Sequence, residues 1–339
     1  MRAFLFSLAL GGAVAAAAAA PSTKSDRWVA PGTPGSPING ELFHAQVLLD
    51  AAGFSAGVID GKKGTSFTQA VRGFQEANGL QVTGKLDDPT RSALLRQNRL
   101  STTYVKLTAD DVGGPFVYPF PKKPEAQAKL QFMGYRNMLE KVAERYHTTP
   151  QTVVALNGPD KLIGPGQTLR LPNVIPPSRD YGGAINDKQS QLLAMLNVST
   201  GITGDHIVVD KSDGTMKVFD KSDRLVAQFI VTTGSSHDPL PLGTWKATTF
   251  SFLPPFNYQP DLFWDVADDK AEQKLRPGPN GPVGVAWLDL TKEHYGIHGT
   301  NEPSTIGHTE SHGCLRLTNW DVMRLSRMMK PGFTAYFVA

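Results

Sequence analysis

The chain contains one cysteine, Cys314, in the run Ser311-His312-Gly313-Cys314, sixteen positions after His298. A thiol and an imidazole at such spacing are a candidate nucleophile and base. A free thiol is mostly protonated at neutral pH, and only the thiolate attacks well. A histidine in contact can take that proton and, as imidazolium, stabilise the thiolate. Gly313 lets the backbone pass close to a substrate, where main-chain N–H groups could hold an oxyanion. Arg316 can meet a carboxylate with two parallel hydrogen bonds, or it is a surface ion pair. The plain alternative for Cys314 is a buried, inert thiol, but a core cysteine needs neither a glycine before it nor an arginine two residues after it.

Zinc is the chemical competitor, since His298, His308, Glu310, His312 and Cys314 include every ligand type it accepts. The His-x-Cys step is not a usual zinc spacing, and a hydrolytic site normally carries two histidines on one regular element. His294 and His308 read as solvated loop histidines. Phe132, Tyr135, Met323, Met328 and Met329 read as core.

The run Ile297-His298-Gly299-Thr300, then Pro303, Ile306-Gly307 and Ser311-His312-Gly313-Cys314-Leu315-Arg316, resembles the signature of the YkuD-type L,D-transpeptidases, which rebuild bacterial peptidoglycan. The resemblance covers about Gly204 to Phe337 and implies a mostly-β sandwich. It also implies that Cys314 acts as nucleophile and His298 as base and then acid, oriented by the main-chain carbonyl of Gly299. His312 and Gly313 would help form the oxyanion site, and Arg316 and Ser311 would bind substrate. The implied reaction is a two-step acyl transfer. Cys314 attacks the carbonyl before the terminal D-Ala of a tetrapeptide stem, D-Ala leaves, and an amine of another stem or of an outer-membrane lipoprotein takes the acyl group. Water as acceptor would make a carboxypeptidase. The resemblance implies acylation of the cysteine by carbapenems and no metal or organic cofactor. A non-catalytic wall-binding protein would be expected to have a broken Cys/His pair, and here both residues are present. One departure is Leu240-Pro241-Leu242-Gly243-Thr244-Trp245, where the family usually has Thr-Pro-x-Gly-x-Phe.

Elements that could carry this site follow from periodicity. Period-two, β-branched runs predict strands at His206–Asp210, Met216–Phe219, Leu225–Thr233, Thr244–Thr249, Ala286–Leu290 and Gly332–Val338. One helix is expected at Asn319–Met329, capped by Thr318. Phe250–Asn280, with Trp264, reads as an insertion that walls or covers the site. Upstream, Leu42, Ala45, Leu48 and Leu49 mark a helix ending at Gly53. Phe67, Ala70, Val71 and Phe74 mark a second, begun at Ser66 and ended by Gly79. Asp88-Pro89 starts a third. This stretch resembles the three-helix peptidoglycan-binding module. Residues 135–173 read as two helices, a Pro-Gly-Gln turn and a Leu-Arg-Leu-Pro strand, and resemble the second half of a LysM repeat whose opening strand is not evident in Gln127–Arg136. A connecting helix is expected at Asp187–Asn197.

The chain therefore reads as an α+β multidomain protein. Residues 1–20 are read as a signal peptide, 21–39 as a disordered leader and 40–100 as the helical module. Residues 101–134 follow as a linker, 135–173 as the LysM-like unit, 174–203 as a connector and 204–339 as the catalytic domain. Its 339 residues and 40% hydrophobic content suit several globular cores. A formal net charge of +3 implies no strong basic patch and argues against a nucleic-acid partner. Met1-Arg2, an apolar stretch and an alanine run have the form of a secretory signal, so a periplasmic or cell-wall location and stem peptides and glycan as partners are expected. An uncleaved membrane anchor is the alternative.

Overall fold

The computed structural model describes residues 36–182, 185–199, 201–262 and 270–339. The proposed signal segment, most of the leader and Trp264 lie outside them. No helix of the described residues is long and apolar enough to cross a membrane. The first unit is three helices, α1 (Gly40–Ala51), α2 (Thr65–Ala77) and α3 (Asp88–Leu95). Asn39 caps α1, its side chain accepting the N–H groups of Glu41 and Leu42. Asp87, one residue earlier than the expected start, caps α3 through the Thr90 N–H at 3.0 Å. Phe67, Ala70, Val71 and Phe74 of α2 face Leu48, Leu49, Phe54 and Leu94 in one apolar cluster. The leader ends before Asn39, because Ile38 is itself buried.

The second unit is built from β1 (Thr102–Lys106), α4 (Ala109–Val112), α5 (Pro124–Gln127), α6 (Met138–Arg145), α7 (Pro150–Asn157) and β2 (Thr168–Pro172). β1 and β2 pair antiparallel, with Thr102 opposite Pro172 and Lys106 opposite Thr168. Gln127–Arg136 holds no strand, and the partner of the expected Leu-Arg-Leu-Pro strand is thus the β-branched run Thr102–Lys106, inside the stretch read as a linker. A long insertion carrying α4 and α5 separates it from α6. Val142, Tyr146, Val153, Leu156, Leu169 and Leu171 form the core, and Phe43 and Val47 of α1 complete it.

Among the described residues, the last unit comprises α8 (Asp187–Met195), ten strands and one further α-helix. The strands are β3 (His206–Asp210), β4 (Thr215–Phe219), β5 (Leu225–Ile230), β6 (Gly243–Phe252), β7 (Phe256–Tyr258), β8 (Gln273–Leu275), β9 (Ala286–Leu290), β10 (Gly296–His298), β11 (Leu315–Arg316) and β12 (Thr334–Val338); α9 (Asn319–Met328) precedes β12. Eight of the strands make one sheet in the order β11-β10-β9-β6-β12-β3-β4-β5. β12 lies parallel to β3 and antiparallel to β6. The sheet curls until its two ends meet: beyond β5, Thr232 bridges Arg316 and Gly234 bridges Ser311. Its opposing walls enclose Ile207, Val209, Phe229, Leu288 and Ile297, with Trp320, Val322 and Leu325 of α9. Leu192, Leu193 and Leu196 belong to the same core, so the packed unit begins upstream of Gly204.

The three units interlock. Phe54, just after α1, bridges Gln228 of β5, and the Gln228 side chain donates to the Gln69 carbonyl of α2 at 2.7 Å. This covers an edge strand that would otherwise present free backbone groups. Beneath it lies a buried charge cluster. Arg324 of α9 donates to Asp50 of α1 at 3.1 Å and to Asp321 at 3.2 Å. His147 of the second unit lies 3.2 Å from Asp50, donates from Nε2 to the Leu196 carbonyl at 2.7 Å, and stacks on Trp320. Ser55 donates to Asp321 at 2.7 Å. Burial alone would push the Asp50 carboxyl up; Arg324 and His147 overcome it and hold Asp50 well below the usual carboxylate range.

Candidate active site

His298 closes β10, between β9 and β11, and is only 4% exposed. Its Nδ1 lies 2.7 Å from the Gly299 carbonyl oxygen, which can only accept, so Nδ1 carries the hydrogen and Nε2 the lone pair. The ring stacks on Trp287 with centroids 5.3 Å apart. Gly299 has no room for a side chain, since a Cβ there would sit 2.1 Å from Asn319 Oδ1. Asn319 opens α9, accepts the Val285 N–H at 3.0 Å and donates to Glu144 of the second unit at 2.8 Å.

Closure of the sheet fixes the nucleophile loop. The Ser311 N–H donates to Thr233 O at 3.0 Å, and Ser235 N–H donates to Ser311 O at 3.1 Å. Arg316 and Thr232 exchange two backbone hydrogen bonds of 3.0 and 3.1 Å. Ser311 was expected to touch substrate. Instead it is 3% exposed and its hydroxyl donates to the Cys314 carbonyl at 2.6 Å, which makes it a clamp on the turn. Gly313 has φ +100°, and a Cβ there would meet the Tyr295 ring at 2.8 Å, so glycine is required twice over.

Cys314, His298, His312 and Arg316 come together at one cleft of about 670 Å³. The thiol donates to the His294 carbonyl at 3.6 Å, and no hydrogen bond joins it to His298 among the described residues. Burial pushes the Cys314 thiol up, and the Gly296 backbone and Arg316 draw it back only in part. Burial, then Arg316, lowers His298 to about 3 against the opposing Gly299 hydrogen bond. At neutral pH the resting pair is therefore neutral thiol and neutral imidazole. A standing thiolate–imidazolium pair is not what this geometry supports, and the proton has to move as the sulfur attacks.

The expected insertion forms part of the cleft wall through the β7–β8 hairpin, with Phe256, Tyr258 and Leu275. Pro124 and Gln127 of α5 complete the wall from the second unit. His308 opens onto a separate cleft with Glu302 and Arg136, and Glu310 onto a third. Among the described residues no three His, Cys, Asp or Glu side chains are grouped to hold a metal ion. Arg316 lines the cleft with no carboxylate of the described residues in ion-pair contact, although Glu302 acts on it from farther off. Sequence reasoning missed Trp287, Asp238 and Glu144, for which no local signal exists.

Residues 204–338 match the YkuD family, described as the L,D-transpeptidase catalytic domain, and residues 40–94 match a peptidoglycan binding domain. A Bacillus licheniformis protein named as an L,D-transpeptidase, YkuD, is 53% identical over 57 residues, 17% of this chain and 34% of that protein. Its Bacillus subtilis namesake is 52% identical over 54 residues, 16% and 33% of the two chains. The matched stretches thus span about a third of those relatives. A solved L,D-transpeptidase from Mycobacterium smegmatis overlays with a TM-score of 0.33 at 19% identity, over 40% of this chain and 59% of that one.

Proposed function

From residues 204–338 as a domain of the YkuD L,D-transpeptidase family and residues 40–94 as a peptidoglycan-binding domain, we propose that the protein is an exported cysteine acyltransferase of the bacterial cell wall. The observation that carries the chemistry is the fixed tautomer of His298 beside the single thiol. With Nδ1 held on the Gly299 carbonyl, Nε2 is the proton acceptor on the cleft shared with Cys314 Sγ. In the first step the sulfur attacks the carbonyl before the terminal D-Ala of a tetrapeptide stem while Nε2 takes the thiol proton. Backbone N–H groups around Gly313 face the developing oxyanion, with His312 beside them. The C–N bond breaks, Nε2 returns the proton to the leaving D-Ala amine, and a thioester remains. In the second step an acceptor amine attacks the thioester, Nε2 removes its proton, and the thiol is restored. A neighbouring stem or a lipoprotein side chain supplies that amine, and the product is a crosslink or an anchored protein.

The helical module holds the enzyme to the wall. With the inserted α4 and α5 set aside, β1 and β2 flank α6 and α7, which supports reading this unit as LysM-like and as a second glycan contact. The test is covalent labelling. Full-length protein incubated with a carbapenem should gain one drug mass on the peptide containing Cys314, because opening the strained lactam requires an activated thiol. His298→Ala should slow the labelling. A folded, reduced protein that forms no adduct would end the proposal.

A further inference from the structure

Two opposite charges line the Cys314 cleft, Arg316 and Asp238. No carboxylate of the described residues lies in ion-pair contact with Arg316, and Glu302 acts on it only from farther off. Oδ2 of Asp238 is buried without a hydrogen-bond partner. Leaving a buried carboxylate oxygen unpaired is unfavourable, and a negative charge close to a sulfur that must become anionic opposes that change. Such a placement calls for a compensating role.

The turn that carries Asp238 is held firmly in place. Ser235 Oγ accepts the N–H groups of His237 and Asp238, each at 3.2 Å, while the Ser235 N–H is bound to Ser311. A side chain on Gly234 would strike the Asp238 carbonyl oxygen and the Cα of Gly313, so the turn is wedged against the nucleophile loop. Tyr295 reports the same proximity: burial first, then Asp238 and Cys314, raise its hydroxyl above the ordinary value.

We propose that Asp238 and Arg316 form a dipolar recognition pair that selects a zwitterionic acyl donor. Asp238 takes a primary ammonium group of the donor and Arg316 takes a carboxylate, with the scissile carbonyl held between them at Cys314. Applied to the reaction proposed above, on which this rests, the donor is a stem peptide whose diamino residue keeps its side-chain amine free. Amidating or acylating that amine removes the positive charge and with it the contact to Asp238.

The experiment compares two synthetic tetrapeptide stems, one with the side-chain amine free and one with it acetylated. D-Ala release is followed with the full-length protein. The expected result is a kcat/KM roughly tenfold higher for the free amine, the size of one charge-assisted contact. Asp238→Asn, close to isosteric, should bring the ratio near one, and raised salt should shrink it in the native protein. Equal turnover of both peptides by the native protein, or an unchanged ratio in Asp238→Asn, would overturn the proposal. A carbapenem adduct on Cys314 without turnover of either peptide would overturn it while leaving the nucleophile assignment in place. No adduct and no turnover would overturn both.

Discussion

Glu144 gives a stability test whose sign and size follow from its surroundings. It lies at the junction of the second unit with α9, with Oε1 bound by Asn319 and Oε2 unpartnered. Burial raises its carboxyl from the ordinary 4.5 to about 7, the neighbouring Tyr135 and the Asn319 hydrogen bond opposing and Glu140 adding to the rise. A folded value above the unfolded one means that the folded state holds the proton more tightly. Glu144 therefore supports the fold fully below about 4.5, and that support is lost as pH rises through about 7. The difference between 4.5 and about 7, at 1.36 kcal/mol per pH unit, comes to about 3 kcal/mol. Glu144→Gln keeps the shape and an acceptor for Asn319 but cannot ionise. Urea unfolding at pH 4.5 and pH 8, followed by tryptophan fluorescence, should show the native protein losing about 3 kcal/mol more than the variant across that interval. Contributions from Asp50 and Asp321 are common to both proteins and cancel in the comparison. Parallel pH profiles would show that Glu144 is solvated and that the junction with α9 is open.

Asp50→Ala should destabilise the protein by about 3–5 kcal/mol, since Arg324 would be left buried with Asp321 as its remaining counter-charge. Because the pair spans two units, the tryptophans of the catalytic unit should report the loss; a change confined to the helical module would contradict the shared cluster. For the thiol, a value raised above the ordinary 9.0 means less thiolate than usual at neutral pH. Alkylation of Cys314 by iodoacetamide should then climb about tenfold per pH unit from 7 to 9. A plateau already reached at pH 7 would indicate a standing thiolate and refute the neutral resting pair.

Much of this was legible in the sequence because the signals were local. His206–Asp210 and Ala286–Leu290 are strands with the expected limits, and Thr318 caps the expected helix through the Asp321 N–H. The nucleophile loop was legible because each of its residue types answers a local demand. β1 was obscured because its partner β2 is distant in sequence and Pro- and Gly-rich text follows it; nothing within Thr102–Lys106 says what it pairs with. Asp238, Glu144 and Trp287 acquire their places only when separate chain segments meet, so no spacing rule points to them. Ser311 was misread for the same reason: whether a serine hydroxyl faces a ligand or the adjacent main chain is decided by the closure of the sheet. The linker expected at 101–134 is structured instead: it carries β1, α4 and α5, and its Leu107 and Val112 are buried in the core of the second unit.

The Asp50–Arg324 pair also bears on the order of assembly. The two residues are 274 positions apart, so as the chain is made from its N-terminus, α1 is complete long before its cationic partner exists. Until α9 arrives, the helical module carries an acid meant for a dry interior and a loop at Phe54 meant for a strand not yet in place. It can form its helices but not its final interface, and its early state is more open and more polar than its mature one. Long-range closure of this kind slows the last folding step and makes it concerted across all three units. A chain interrupted before Arg324 would be left exposed to proteases along α1 as well as at its broken end.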